Sequence, residues 1–198
     1  MTKPWYNEGN VPDFLDKIRD TLRRCMETSD LVEVYDDDRD LDRFIVGKVE
    51  SVTREGYGLL AIGPQGDFDG RQIGRIEDVI RVATGSSYLS ALRLLHDARG
   101  TMDSQPADSA GYAPLDLNNA LRFAQDKRIV VSLVDGDHIP IIGLVNDFGK
   151  DYVEIRELRK DGEEDGLITV HLDDIVRIDA GGRTEQARAF LHRVRMGL

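Results

Sequence analysis

Two stretches of this chain repeat the same order of apolar and polar positions. With an offset of 96 residues, positions 47–96 align with positions 143–192 without a gap. In the clearest block, RIEDVIRV (75–82) lies over HLDDIVRI (171–178), and every apolar position stays apolar. Because a matched apolar pattern buries the same face, both stretches are predicted to fold alike. The identical pairs include Gly47/Gly143, Val49/Val145, Gly66/Gly162, Gly70/Gly166, Asp78/Asp174, Arg81/Arg177 and His96/His192.

Each copy is predicted to begin and end with a helix. Phe14, Ile18 and Leu22 recur at helical spacing in the first opening helix. The N-caps predicted for the opening helices are Asp13 and Asp116, and the closing helices are predicted to start at Ser86 or Ser87 and at Thr184.

Between the helices, short β-branched and apolar runs predict five strands in each copy. The predicted strands are 31–35, 44–52, 57–62, 73–76 and 79–82, then 129–134, 139–148, 151–158, 167–172 and 175–178. Each second strand contains a glycine, Gly47 or Gly143, which indicates strong bending of that strand. The stretches 66–70 and 160–166 are predicted to be turns.

The two copies are predicted to be separate units joined by a linker. The first unit spans 11–99 and the second spans 115–198. The segment between them, 100–114, reads GTMDSQPADSAGYAP and is rich in Gly, Ser, Pro and Asp, which is typical of a linker.

Composition and charge narrow the classes of protein and partner. Among 198 residues, 40% are hydrophobic and 32% are charged, a balance typical of a folded globular protein. The apolar runs are far shorter than the roughly 20 residues that span a membrane, so no membrane association is expected. With a single cysteine, Cys25, and a polar start, a cytoplasmic protein without disulfides is predicted. A net charge of −11 disfavours nucleic acid as a general partner.

The second copy resembles the Sm-like family, which includes a bacterial RNA chaperone and the splicing-core proteins. The resemblance lies in IIGLVNDFGKDYVEI, where Gly143, Val145 and Phe148 stand at the spacing of the family's first motif. The first copy keeps Gly47 and Val49. The resemblance implies two tandem small five-stranded barrels of the Sm-like, SH3-like kind, each preceded and followed by a helix. It also implies that neighbouring barrels pair through their fourth and fifth strands to make rings.

The residues that contact RNA in that family are not kept in this chain. The family's Asp and Asn positions hold Gly149 and Val153 here, and its Arg-Gly pair is replaced by Leu172-Asp173. The first copy departs in the same way, with Thr53, Tyr57 and Ile76-Glu77 at these positions. The resemblance therefore predicts the architecture more firmly than it predicts RNA binding.

No pattern in the sequence predicts catalytic residues, a metal site or a cofactor. The acidic loop 36–42 has Leu41 and Gly47 where an EF-hand needs a glycine and a carboxylate, so a solvated turn is predicted. The glycines between 63 and 74 lead into a strand rather than a helix, which argues against a phosphate loop. His96 and His192, near the ends of the closing helices, are predicted to be structural.

The function predicted from the sequence is a non-enzymatic binding or assembly module, whose partner is another copy of itself or another protein. The alternative is an RNA-associated protein that binds through non-standard residues. Its candidate contacts are Arg54, Phe148, Lys150 and Tyr152, where aromatic stacking beside cations would hold bases. An enzyme is the third hypothesis and would require a deep pocket between the barrels.

Overall fold

A computed structural model describes residues 13–99 and 116–197 of the chain. The predicted linker, 100–114, lies outside the described residues. The first block comprises α1 (Phe14–Thr28), β1 (Leu31–Tyr35), β2 (Ile45–Val52), β3 (Gly56–Ile62), β4 (Phe68–Arg75), β5 (Arg81–Thr84) and α2 (Ser87–Arg99). The second block comprises α3 (Leu117–Lys127), β6 (Val130–Asp135), β7 (Pro140–Phe148), β8 (Tyr152–Leu158), β9 (Glu164–His171), β10 (Ile175–Ala180) and α4 (Arg183–Met196).

The strands form one open sheet of ten strands in the order β5-β1-β2-β3-β4-β10-β6-β7-β8-β9. All neighbouring strands are antiparallel. Both blocks have the same internal order, because the fifth strand of each pairs with the first. The pairing of β4 with β10 joins the two blocks into one sheet.

The irregularities of the sheet also repeat between the blocks. The register of β2 against β3 shifts between Val49 and Ser51, and that of β7 against β8 shifts between Val145 and Asp147. A Cβ on Gly143 would lie 2.1 Å from the carbonyl oxygen of Arg156, in the neighbouring strand. Glycine is therefore required here by the close approach of two backbones.

The opening helices begin where the sequence predicts. Asp13 Oδ1 accepts a hydrogen bond of 2.7 Å from the Asp16 amide, and Asp116 Oδ1 accepts one of 2.8 Å from the Asn119 amide. Each carboxylate satisfies an amide that the first helical turn leaves without a partner. The buried faces of α1 and α3 consist of Ile18, Leu22 and Cys25, and of Leu117, Ala120, Leu121 and Ala124.

Each block has a hydrophobic core of its own. One cluster joins α1 to β1, β2 and β3 of the first block. The other joins α3 to the strands of the second block, and it also includes Ile73 from β4 of the first block. The second core therefore continues across the β4–β10 pairing.

The prediction of a mainly β fold with flanking helices is confirmed, but some details differ. The fourth strands begin earlier than predicted, at Phe68 and Glu164, because the turns before them are short. Gly66 turns the chain with a φ of +83°, whereas Gly70, predicted to lie in that turn, lies inside β4. The fifth strand starts at Arg81 rather than Val79. Hydrogen bonds do not close either block into a barrel. In the first block β4 and β5 are not neighbours in the sheet, and in the second block β9 and β10 are not.

The closing helices pack on the glycine turns of their blocks. His96 Nδ1 lies 2.9 Å from the Gly66 carbonyl oxygen, and His192 Nδ1 lies 3.1 Å from that of Gly162. Each imidazole contacts the turn before the fourth strand. None of the described helices is long and apolar enough to cross a membrane.

Gly143→Ala should lower the free energy of unfolding by about 1–3 kcal/mol, because its methyl group would overlap the Arg156 carbonyl. Gly47→Ala should act in the same direction, since its Cβ would lie 2.6 Å from the Leu60 carbonyl oxygen. Gly136→Ala is the matched control, because a Cβ at Gly136 meets no atom within 4 Å. Urea denaturation measures all three, and equal stabilities would contradict the close strand approach.

Candidate assembly interface

The pairing of β4 with β10, hereafter the seam, is a feature of the molecule that the sequence repeat does not itself require. Its register runs from Arg177 opposite Gly74 to Ala180 opposite Arg71. A Cβ on Gly70 would lie 2.4 Å from the amide nitrogen of Gly182. The backbones of the two blocks therefore touch at this end of the seam, which only glycine permits.

A buried arginine joins the two blocks at the seam. Arg177, on β10, forms an ion pair with Asp36, which follows β1 in the first block. Its Nε also donates a 2.7 Å hydrogen bond to Asp179 Oδ1. Arg177 is 9% exposed. Burial alone would lower the pKa of Arg177, but the carboxylates of Asp179 and Asp36 outweigh burial and raise it.

The acidic loop after β1 also joins the two blocks. Arg39 Nη2 donates a 2.7 Å hydrogen bond to the Gly136 carbonyl, and its Nη1 lies 3.2 Å from Asp137 Oδ1. Asp37 is 5% exposed and lies 3.7 Å from His138 Nε2 in the second block. The prediction of a solvated turn is therefore wrong for the start of this loop, because its first carboxylates are used for contacts between the blocks.

Next to the Gly74–Arg177 pair, Arg75 holds the second block through backbone oxygens. Its Nη1 donates a 3.1 Å hydrogen bond to the Asp173 carbonyl, and its Nη2 donates to the Leu172 carbonyl. A Cβ built on Gly56 would lie 3.5 Å from the Cα of Asp116, so the start of α3 rests against the first block. Side chains at this end therefore fix the register of the seam.

The seam leaves one open edge at each end of the sheet, formed by β5 and β9. In β4, which is paired on both sides, Arg71 is 8% exposed and Ile73 is 1% exposed. At the repeat-equivalent position of Arg71, Leu167 on β9 is 49% exposed. The equivalent of Ile73, Thr169, is also exposed. The two fourth strands therefore differ in exposure, because only β4 is paired with a strand along both edges.

Two of the four candidate RNA contacts lie together. Arg54 and Lys150 follow the second strands of their respective blocks, and both line a cavity of about 440 Å³ beside the seam. The start of α3 and the loops after β4 and β9 line it as well. Both side chains are exposed, and neither forms an ion pair with the described residues.

The two aromatic candidates do not line this cavity. Phe148 is partly buried against the core of the second block, and the guanidinium of Arg122 lies 5.7 Å from its ring centroid. The Tyr152 hydroxyl donates a 2.7 Å hydrogen bond to Asp147 Oδ2, which raises the pKa of Tyr152. The aromatic stacking platform expected from the sequence is therefore not assembled at Arg54 and Lys150.

Comparison with known proteins gives no family for this chain. No protein-family model, no curated protein and no solved structure matches it. Within residues 13–99 and 116–197, no group of three or more His, Cys, Asp or Glu side chains is placed to hold a metal ion.

Sequence reasoning missed the residues that build the seam. Asp36 looked like one more acid in a charged loop, although it pairs with a residue 141 positions further along the chain. Arg177 carried a signal, since a cation kept in both copies within otherwise apolar strands requires a partner. The partner itself depends on how the blocks meet, which local patterns do not specify.

Arg177→Met should lower the free energy of unfolding by about 3–5 kcal/mol, because it leaves the enclosed carboxylates of Asp36 and Asp179 without their cation. Arg23→Met removes an exposed ion pair with Asp20 and should cost less than about 1 kcal/mol. Denaturant unfolding of both variants tests this expectation. A loss for Arg177→Met no larger than for Arg23→Met would show that the seam does not depend on this arginine.

Proposed function

We propose that this chain is a cytoplasmic, non-enzymatic assembly module whose copies associate through the strand pairing that already joins its two blocks. The observation that carries the proposal is the seam. It pairs the fourth strand of one block with the fifth strand of the other. The same two kinds of strand, β9 and β5, remain as open edges. Exposed strand edges favour pairing with another chain unless they are covered or blocked.

The repeat gives the register of the proposed contact. An offset of 96 residues converts the pairs of the seam into pairs between β9 of one copy and β5 of the next. The resulting pairs are Leu167 with Thr84, Ile168 with Ala83, Thr169 with Val82, and Val170 with Arg81.

A contact of this kind is head-to-tail, because a fourth strand always meets a fifth strand. Head-to-tail contacts close into a ring when the rotation between copies permits it. We also propose that each five-stranded block is a small Sm-like barrel that stays open between its fourth and fifth strands, because a glycine and a register shift recur in the second strand of both blocks. In that family neighbouring barrels pair in this way. Each copy would then contribute two barrels to the ring.

The closing helices offer a further surface for a protein partner. In α4, Phe190, Val194 and Met196 are each 59% exposed, and in α2 Leu94 is 73% exposed. Exposed apolar residues that cluster on an element are typical of interaction surfaces. This feature supports the broader hypothesis of a binding module.

Sedimentation of the full chain tests the assembly proposal. The expected result is an oligomer whose mass is two or more times the chain mass of 22.2 kDa. Thr169→Lys should weaken this association about tenfold or more, because Thr169 is equivalent to Ile73, which is 1% exposed in the seam. The isolated chain should remain folded, since Thr169 is exposed there.

Thr184→Lys is the matched control, because Thr184 is an exposed position on α4, away from both strand edges. It should leave the association unchanged. A monomer at every concentration up to about 100 μM would overturn the assembly proposal, since weaker contacts would hold only transient complexes.

The second candidate function is RNA binding, and one observation favours it. Arg54 and Lys150 come from different blocks and line one cavity beside the seam. Neither side chain forms an ion pair within the described residues, which leaves both cations open to a phosphate backbone. The carboxylates of Glu55, Glu77, Asp116 and Asp173 line the same cavity and act against this contact. The net charge of −11 acts against binding elsewhere on the surface.

Filter binding of single-stranded RNA at about 50 mM salt tests this candidate, because phosphate attraction is strongest at low salt. Arg54→Glu with Lys150→Glu should abolish retention if the cavity binds RNA. Arg23→Glu with Lys127→Glu changes the net charge equally and should retain most of the binding. An absence of retention by the unaltered chain would eliminate RNA as a ligand.

A further inference from the structure

The ion pair that joins the blocks has a counterpart that the seam does not use. Arg81 is the repeat equivalent of Arg177. Strand pairing identifies the equivalent of Asp36, because Tyr35 lies opposite Arg81 and Val134 lies opposite Arg177. The residue after Tyr35 is Asp36, and the residue after Val134 is Asp135. The chain therefore carries a second Arg and a second Asp at the positions that meet across the seam.

These two residues belong to different blocks. Arg81 begins β5, which is one edge of the sheet, and Asp135 ends β6 in the block whose outer edge is β9. Arg81 is exposed, and its guanidinium lies 4.6 Å from the centroid of the Tyr35 ring. Within the described residues Arg81 forms no ion pair. Asp135 is partly buried and accepts a 3.0 Å hydrogen bond from the Asp137 amide.

We propose that Arg81 of one copy pairs with Asp135 of the next copy and fixes the register of their contact. The inference rests on the proposed assembly through β9 and β5. It identifies the partner of this surface as a second copy of the same chain. In the seam the corresponding pair is Arg177 with Asp36, which is enclosed between the blocks.

The pair also selects the direction of assembly. Arg81 lies in the block that carries the β5 edge, and Asp135 lies in the block that carries the β9 edge, so only a contact of β9 with β5 brings them together. A contact of β9 with itself leaves both Asp135 carboxylates without this cation. Charge complementarity therefore favours β9 against β5 over β9 against itself.

The pair between copies should be weaker than the one inside the chain. Arg177 has a second carboxylate, Asp179, 2.7 Å from its Nε, whereas the equivalent of Asp179 beside Arg81 is Ala83. With one carboxylate instead of two, the cation is held by a weaker electrostatic attraction. The association of copies should therefore weaken as salt increases, while the seam within each copy persists.

A charge exchange in the full chain tests the pair by sedimentation. Arg81→Glu should weaken association about tenfold or more, because it places a carboxylate opposite Asp135. Asp135→Arg should weaken it by a similar factor. The double variant Arg81→Glu with Asp135→Arg should restore association to within about threefold of the original, since the two charges are then exchanged. Lys127→Glu, on an exposed position of α3, is the control for a change of charge alone.

The outcomes separate this inference from the proposed function. Association of the unaltered chain with no rescue in the double variant would overturn the Arg81–Asp135 pair and leave assembly through β9 and β5 intact. Single variants, Arg81→Glu or Asp135→Arg, that associate as strongly as Lys127→Glu would also overturn the pair and leave that assembly intact. A monomeric unaltered chain would instead overturn the assembly on which the inference rests. Rescue in the double variant is the result that supports the pair, and it does not depend on how Arg81→Glu affects the Tyr35 contact.

Discussion

The hydrogen-bonded pairing of β4 with β10 determines how the rest of this molecule is arranged. It converts two five-stranded blocks into one sheet of ten strands. It pairs β4 along both of its edges and extends the core of the second block to Ile73. It also encloses Arg177 between Asp36 and Asp179. Without it each block would carry two open edges. A desolvated cation with two carboxylates is stable only while all the partners stay together, so the seam should form or break as a unit.

The two blocks reach the same fold with different residues. In the first block, Ser86 at the start of α2 donates a 2.7 Å hydrogen bond to Glu33 on β1. In the second, the acid and the hydroxyl are exchanged, since Ser132 on β6 bonds to Glu185 in α4. Both pairs tie the first strand to the closing helix. The same two elements are therefore joined by a hydrogen bond in each block although the residues differ, and in both cases a polar group that would be costly to leave without a partner is satisfied.

Much of the fold could be predicted from the sequence, because it follows from local patterns. The helix starts at Asp13 and Asp116, the strand Leu31–Tyr35 and the glycines of the second strands depend on capping, apolar phase and backbone space. The continuous sheet could not be predicted in this way. It depends on contacts such as Arg75 with Leu172 and Asp173, which join residues about a hundred positions apart. Of the RNA contacts predicted from the sequence, Arg54 and Lys150 share a cavity, whereas Phe148 and Tyr152 do not line it, because their positions depend on packing within the second block.

Amide hydrogen exchange as a function of protein concentration tests the central claim, that one strand pairing joins the blocks and is used again between copies. At high dilution the amides of residues 71–74 in β4 that point toward β10 should be protected on the scale of the core strands, whereas the amides of residues 167–170 in β9 that point away from β8 should exchange rapidly. At concentrations where copies associate, the β9 amides and those of β5 should become protected together. Rapid exchange in β4 at all concentrations would contradict the seam, and β9 exchange that never changes with concentration would contradict its reuse.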